Sequence, residues 1–317
     1  MSDKAKRILG SIPLHVVIIG LCILWLLPTF GLLITSLRPF QDINETGWWT
    51  AFLPRRDPEA ADRPRFTLNN YVAALVGYRG RKTYAEACLG ENPDPDCAGT
   101  GLMSPQGMGR AFINSLLVTI PATILPVLFA AFAAYAFSWL EFRGRQLLFA
   151  ILVGLQVVPL QMTLIPIYRV YTKFGLNGTF LGVWLFHTGF GLPYAIYLLR
   201  NFIGSLPRDV FESAYLDGAS PWTAFFRLAL PLATPAIASL TIFQFLWVWN
   251  DLLVALVFLG GTTPVLTYQI SNMVTSLGAG WHLLTAAAFI SMVVPLIVFF
   301  SMQRFFVRGI LAGSVKG

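Results

Sequence analysis

Long apolar runs alternate with short polar gaps along this chain. Six runs reach the roughly 20 residues a helix needs to cross a ~30 Å hydrocarbon layer. They are about Ile12–Ser36, Ala111–Leu140, Leu147–Arg169, Phe180–Leu199, Leu232–Leu259 and Leu283–Met302. In lipid every backbone polar group must be satisfied within the segment, so the runs are expected to be helices. Prolines 121, 126, 159 and 166 predict kinks in the spans that hold them. The pattern predicts an all-α polytopic membrane protein with six transmembrane helices. The first run is too long for the apolar core of a signal peptide, and no A-x-A-like site follows it, so it reads as a retained span.

Residues 37–109 break the pattern. They hold nearly half of the chain's charged residues and about a third of its prolines, marking an extramembrane insertion between the first two spans. The organisation expected is therefore 1–36 as N-terminus and first span, 37–109 outside the membrane, 110–303 as a five-span core with a polar loop at 200–231, and 304–317 as a tail.

Composition agrees: 56% of the 317 residues are hydrophobic and only 12% charged. The net charge of +7 reads as topology rather than affinity for nucleic acid. Lys4, Lys6, Arg7, Arg143, Arg145, Arg200, Arg208, Arg227, Arg304, Arg308 and Lys316 fall on one side, which places both termini and the 200–231 loop in the cytoplasm. The opposite short loops carry only Arg169 and Lys173. The basic residues within 37–109 run against this bias, but segments beyond about 60 residues translocate largely regardless of charge.

Enzyme chemistry finds no support. The chain has no Gly-Lys pair, so no phosphate-binding loop, and no H-E-x-x-H or other metal-ligand cluster. His15, His187 and His282 are scattered singles. Cys22 reads as a small packing residue within the first span. Cys88 and Cys97 flank the turn-rich Asn92-Pro93-Asp94-Pro95 and are either an external disulfide or two unrelated thiols. No metal site is expected.

Two constellations remain. Gln244, Trp247, Asn250 and Asp251 fall within about 120° of one another on a helix wheel. A carboxylate inside a span is costly and points to the bundle interior. An aromatic ring beside amides and an acid suits a hydroxyl-rich solute, while Asp251 as a structural acceptor is the equal alternative. Gln156, Gln161 and Asn114 are weaker candidates. The second constellation, Glu212-Ser213-Ala214-Tyr215-Leu216-Asp217-Gly218 closed by Leu228-Ala229-Leu230-Pro231, lies in the 200–231 loop. Pro207 at a first helical position, Asp209 and Glu212 near a helix start, and Gly218 as a left-handed stop predict a short capped helix. Ser220-Pro221 predicts the start of another that runs into the fifth span. By itself such a helix could be an ordinary interfacial connector.

Its spacing, however, resembles the E-A-A-x3-G-x9-I-x-L-P loop of permease subunits in ATP-binding-cassette importers. Glu212, Ala214, Gly218, Leu230 and Pro231 match; Ser213 and Leu228 replace the usual Ala and Ile. Phe112-Ile113-Asn114-Ser115-Leu116, Trp249-Asn250-Asp251 and the ending Ala312-Gly313-Ser314-Val315-Lys316-Gly317 look like the sugar-importer branch, the maltose-transporter G-type permeases. The resemblance implies the type I importer permease fold and a chain that hydrolyses nothing itself. It implies a second permease subunit, two ATPase subunits holding ATP and Mg, and an external sugar-binding protein. Glu212, Ala214, Asp217, Gly218, Leu230 and Pro231 would then couple to the ATPase, and Gly313, Val315, Lys316 and Gly317 would touch it. The cargo implied is a maltose-like, α-glucoside or oligosaccharide solute. An ion- or proton-coupled secondary carrier is the alternative from another class, thinly supported by one intramembrane acid and no repeat.

Overall fold

The computed structural model describes residues 3–54, 64–80, 82–90, 92–273 and 280–314, with side chains described between 13 and 304. All regular structure among the described residues is helical. The chain divides into two compact units, Met1–Gly109 with Ile270–Ile290, and Arg110–Gln269 with Ser291–Gly317.

The first unit opens with α1 (Asp3–Ser36), whose apolar side chains from Leu14 to Phe30 are exposed. Cys22 is exposed with them rather than packed, which corrects the expectation for it. Three short helices follow, α2 (Phe40–Glu45), α3 (Asn69–Val76) and α4 (Tyr84–Cys88). Their polar sequence is held by local satisfaction of backbone groups. The buried Arg38 donates to the carbonyls of Gly47 and Asp42 and to the Thr46 hydroxyl. The Asn70 amide donates to the carbonyls of Ser36 and Arg38, 2.8 Å each. A capping box of Thr83 and Glu86 starts α4, and Cys88 at its end is joined to Cys97 in a disulfide, Cα atoms 5.5 Å apart.

Helix α5 (Met108–Trp139), all but its first two residues in the second unit, is one helix through both Pro121 and Pro126. The run expected as a single span over 147–169 is instead α6 (Arg145–Leu155) and α7 (Leu160–Phe174), bent by 100°. Pro159 supplies the break: it lacks an N–H and biases Val158 away from helical backbone. Pro166, by contrast, sits inside α7. The central helix is α8 (Phe180–Ile203), whose first turn is capped by the Thr179 side chain accepting from Gly182 N–H. After it come α9 (Arg208–Leu216), α10 (Pro221–Ala224), a π-helical turn at Phe225–Ala229, α11 (Leu230–Leu232) and α12 (Thr234–Trp249). The expected smooth passage from the polar loop into the fifth span is corrected by a 71° bend between Pro221–Leu232 and Thr234–Trp249. That span also stops short: residues 250–252 are not helical, and α13 (Leu253–Phe258) restarts the chain before α14 (Leu266–Ser271) and α15 (Trp281–Ser314).

Pro13–Ser36, α5 and Trp281–Arg304 are long and apolar enough to cross a bilayer alone, and each bent pair could form one span more. Helix α8 has the length, 24 residues, but includes His187, Thr188 and Gly191 on a largely buried surface. The core of the second unit is rich in alanine: Ala130, Ala131, Ala134, Ala195, Ala224, Ala229, Ala233 and Ala236 are all buried. Small residues let helix backbones approach closely, which lipid alone would not drive.

Candidate functional site

Helix α9 is a small amphipathic knob. Asp209 in its first turn suits the positive end of the helix dipole. Pro207 stands at the N-cap with extended backbone rather than at the first helical position. At the other end, the Gly218 N–H donates to the Tyr215 carbonyl (3.0 Å) and the Ala219 N–H to the Ala214 carbonyl (2.9 Å). This is the six-to-one, five-to-two pattern of a Schellman stop. It needs left-handed backbone, and Gly218 has φ +83°. Ser220 then caps α10, its hydroxyl accepting from Thr223 N–H.

One face of α9 is fastened and the other is open. Phe211 is fully buried and lies face-on against Trp139 of α5, ring centroids 3.9 Å apart. The Tyr215 and Tyr135 hydroxyls share a hydrogen bond of 2.9 Å. Glu212, Ser213, Leu216 and Asp217 are exposed, Leu216 at 88%. Ala214 is half-buried between the faces; Leu230 is half-buried and Pro231 exposed at the far end of the π-helical turn. The fastening aromatics were missed in the sequence. Their signal is spacing: Tyr135/Trp139 and Phe211/Tyr215 are both four apart, so each pair shares a helix face.

The second constellation is rearranged. Gln244 is buried, its amide donating to the Ala122 carbonyl (3.1 Å) and filling the space beside Gly191, where a Cβ would come within 2.8 Å of its Nε2. Trp247 and Asn250 are exposed, the Asn250 amide turned back to the Leu246 carbonyl. Asp251 sits in the break, off the helix face expected for it. Its Oδ2 accepts from the N–H groups of Val254 and Ala255 at 3.0 and 3.2 Å, making it the side-chain cap of α13. The Thr267 hydroxyl donates to its carbonyl at 2.7 Å.

His187, read as a scattered single, is buried beside this break. Its Nε2 is 3.9 Å from Asp251 Oδ2, too long for a hydrogen bond, and its ring stands edge-on to Trp247 at 5.1 Å. Its Nδ1 has no hydrogen-bond partner among the described residues. The structure therefore groups Trp247, Asp251 and His187 and turns Gln244 into the helix junction. Asn114 is committed elsewhere, donating to the Pro264 carbonyl at 2.8 Å, and the Ser115 hydroxyl accepts from Leu266 N–H at 2.8 Å. The Gln156 amide donates to the Pro193 carbonyl at 3.5 Å. Gly313 lies in the last turn of α15, whereas Val315, Lys316 and Gly317 lie outside the described residues. No group of three or more metal-ligating side chains occurs among the described residues.

Comparison with known proteins places this geometry. Residues 126–312 match the family described as binding-protein-dependent transport system inner membrane component. The chain is 54% identical to the osmoprotective compounds uptake permease protein GgtD of Synechocystis sp., over 99% of this chain and 95% of that protein. It is 43% identical to the alpha-glucoside transport system permease protein AglG of Rhizobium meliloti, over 96% of each. A crystal structure of a bacterial importer of the acidic polysaccharide alginate shares the fold, with a TM-score of 0.58 at 16% identity over 97% of this chain and 99% of that one. These findings set the secondary-carrier alternative aside and mark the chain as a multi-pass permease subunit rather than an enzyme. The chain belongs to the family of binding-protein-dependent transport system inner membrane components.

Proposed function

We propose that the chain forms half of the translocation pathway of an ATP-driven carbohydrate importer, with α9 as the element that docks on a cytosolic ATPase subunit. The observation that carries the docking role is the two-sided character of α9. Phe211 and Tyr215 fix it to the bundle, while Glu212, Leu216 and Asp217 face outward beside a rigid left-handed stop. An exposed carboxylate flanked by an exposed leucine suits a groove with an apolar floor and a basic or hydrogen-bonding rim. Ala214, Gly218, Leu230 and Pro231 shape the knob, and Gly313, Val315, Lys316 and Gly317 extend the contact.

In this reading the chain crosses the bilayer six times, with both termini cytoplasmic and 37–109 external, where a disulfide is chemically favoured. A second permease subunit completes the pathway, and an external binding protein delivers the solute. The two ATPase subunits hold ATP and Mg; their closure moves α9 and opens the pathway outward, and hydrolysis resets it. Trp247, Asn250 and Asp251, with Gln244 behind them, contribute to the pathway wall.

Similarity to the permease named for alpha-glucosides supports a maltose-like, α-glucoside or oligosaccharide cargo. Similarity to the permease named for osmoprotective compounds favours a second reading, an osmoprotective solute. Calorimetric titration of the associated binding protein separates the two: an α-glucoside as its tightest ligand supports the first, a non-glycosidic osmolyte overturns it. Docking is tested by purification of Glu212→Ala, Gly218→Val permease: loss of the ATPase subunits is expected, and full retention refutes the assignment.

A further inference from the structure

The loop helix α9 is continuous in sequence with α12, the natural route for a displacement to take. The structure weakens that route. Between them lie a π-helical turn, whose i→i+5 pairing departs from the regular ladder, and a bend of 71°. A second route is built from side chains. Tyr135 and Trp139 sit one turn apart at the end of α5, and Tyr215 and Phe211 one turn apart on α9. The two pairs meet as a phenol–phenol hydrogen bond of 2.9 Å and a stacked ring pair with planes 17° apart.

A single contact would leave α9 free to pivot; two, spaced by a turn on each helix, oppose both sliding and rotation. The Trp139 ring is itself held, its indole N–H donating to the Ile203 carbonyl at 3.2 Å. Next to it, the Ser138 hydroxyl lies 3.2 Å from the Arg200 carbonyl. From this clamp α5 runs unbroken for 32 residues, about 48 Å at 1.5 Å per residue. Near its other end Asn114 and Ser115 hold residues 264–266, and the following Thr267 holds the Asp251 carbonyl. A contiguous set of contacts thus joins α9 to the break beside Trp247 and His187.

We propose that α5, rather than α12, carries the displacement of α9 into the bundle, with Tyr135 and Trp139 as the positioning residues that make α9 a rigid extension of it. The inference rests on α9 being the ATPase-docking helix. It assigns the route by which docking reaches the α12–α13 break.

The test uses the assembled importer with its ATPase subunits and binding protein in proteoliposomes, with uptake and ATP hydrolysis measured on the same sample. Tyr135→Phe removes one hydroxyl and keeps the ring. It should lower solute moved per ATP hydrolysed by about three- to tenfold, the range expected for one net hydrogen bond. Tyr215→Phe should match it, and the double variant should fall no further, since each single change already loses the bond. A merely structural role lowers uptake and hydrolysis together, leaving their ratio unchanged; that result overturns the proposal.

A second measurement does not depend on weakening the contact. In a Cys22→Ala background, Tyr135→Cys, Tyr215→Cys is bridged with a bis-maleimide. If the two helices move as one, the bridged complex regains a wild-type uptake-to-hydrolysis ratio. A bridge that halts uptake overturns the proposal. Failure of the docking assignment shows separately, as undiminished ATPase retention in Glu212→Ala, Gly218→Val.

Discussion

Replacing Gly218 isolates backbone conformation from contact. The residue has φ +83°, and a Cβ built there meets no heavy atom within 4 Å. The cost of a side chain is therefore conformational: roughly 1–2 kcal/mol for an ordinary L-residue in left-handed backbone, less for asparagine and more for a β-branched residue. The alternative to paying that strain is to leave the left-handed region, which breaks the bonds from Gly218 N–H and Ala219 N–H to the last carbonyls of α9 and redirects the chain into α10. Function should consequently fall in the order Gly, Asn, Ala, Val. The assay is ATPase co-purification together with uptake in proteoliposomes. A tenfold loss at Gly218→Ala corresponds to about 1.4 kcal/mol, within the estimate. Equal losses for Asn, Ala and Val would point to a contact with the ATPase in place of strain, and normal uptake by Gly218→Val would refute the reasoning outright.

The two faces of α9 should respond differently. Phe211→Ala empties a fully buried site and should cost about 3–5 kcal/mol, read as loss of folded, detergent-stable permease. Leu216→Ala, at an exposed position, should leave thermal stability unchanged and weaken ATPase retention; a stability loss there would refute the open-face reading. Asp251→Ala deletes the cap of α13 and should cost about 1 kcal/mol. Asp251→Asn keeps an acceptor oxygen and should melt like the wild type, so a drop in its uptake rate alone would assign the charge to the pathway, while normal uptake would return it to capping. Cys88→Ala, Cys97→Ala should destabilise the first unit by about 2–3 kcal/mol, from the entropy of closing a short loop, and unreduced peptide mass spectrometry should find the two linked; full alkylation without reductant would exclude the bridge.

What the sequence could convey depended on the range over which each signal acts. The left-handed stop at Gly218 and the Ser220 cap were legible because both are closed by bonds within five residues. The apolar runs located the helices, but a hydropathy run does not register direction. The 100° turn at Pro159 and the 71° bend before α12 leave composition unchanged while redirecting the helix axis. Proline was an unreliable guide, since Pro121, Pro126 and Pro166 lie within continuous helices and Pro159 stands in the break between two, as the N-cap of the second. A freed carbonyl can be covered by a neighbouring helix in one place and left to the turn in another.

The same limit explains the polar constellation. A helix wheel drawn through Asp251 presumes an unbroken helix, yet that carboxylate is what starts the next one, by accepting the Val254 and Ala255 N–H groups. In the bilayer an interrupted helix exposes unpaired backbone N–H groups, so an intramembrane acid is as useful for capping as for contacting solute. The two roles are compatible, because Asp251 Oδ2 serves the cap while Trp247 and His187 stand beside it. A pathway wall built at a helix break gains a polar group whose position is fixed by the backbone it satisfies. Displacement of the segment held by Ser115 and Thr267 would then move that group directly, without first unwinding a helix.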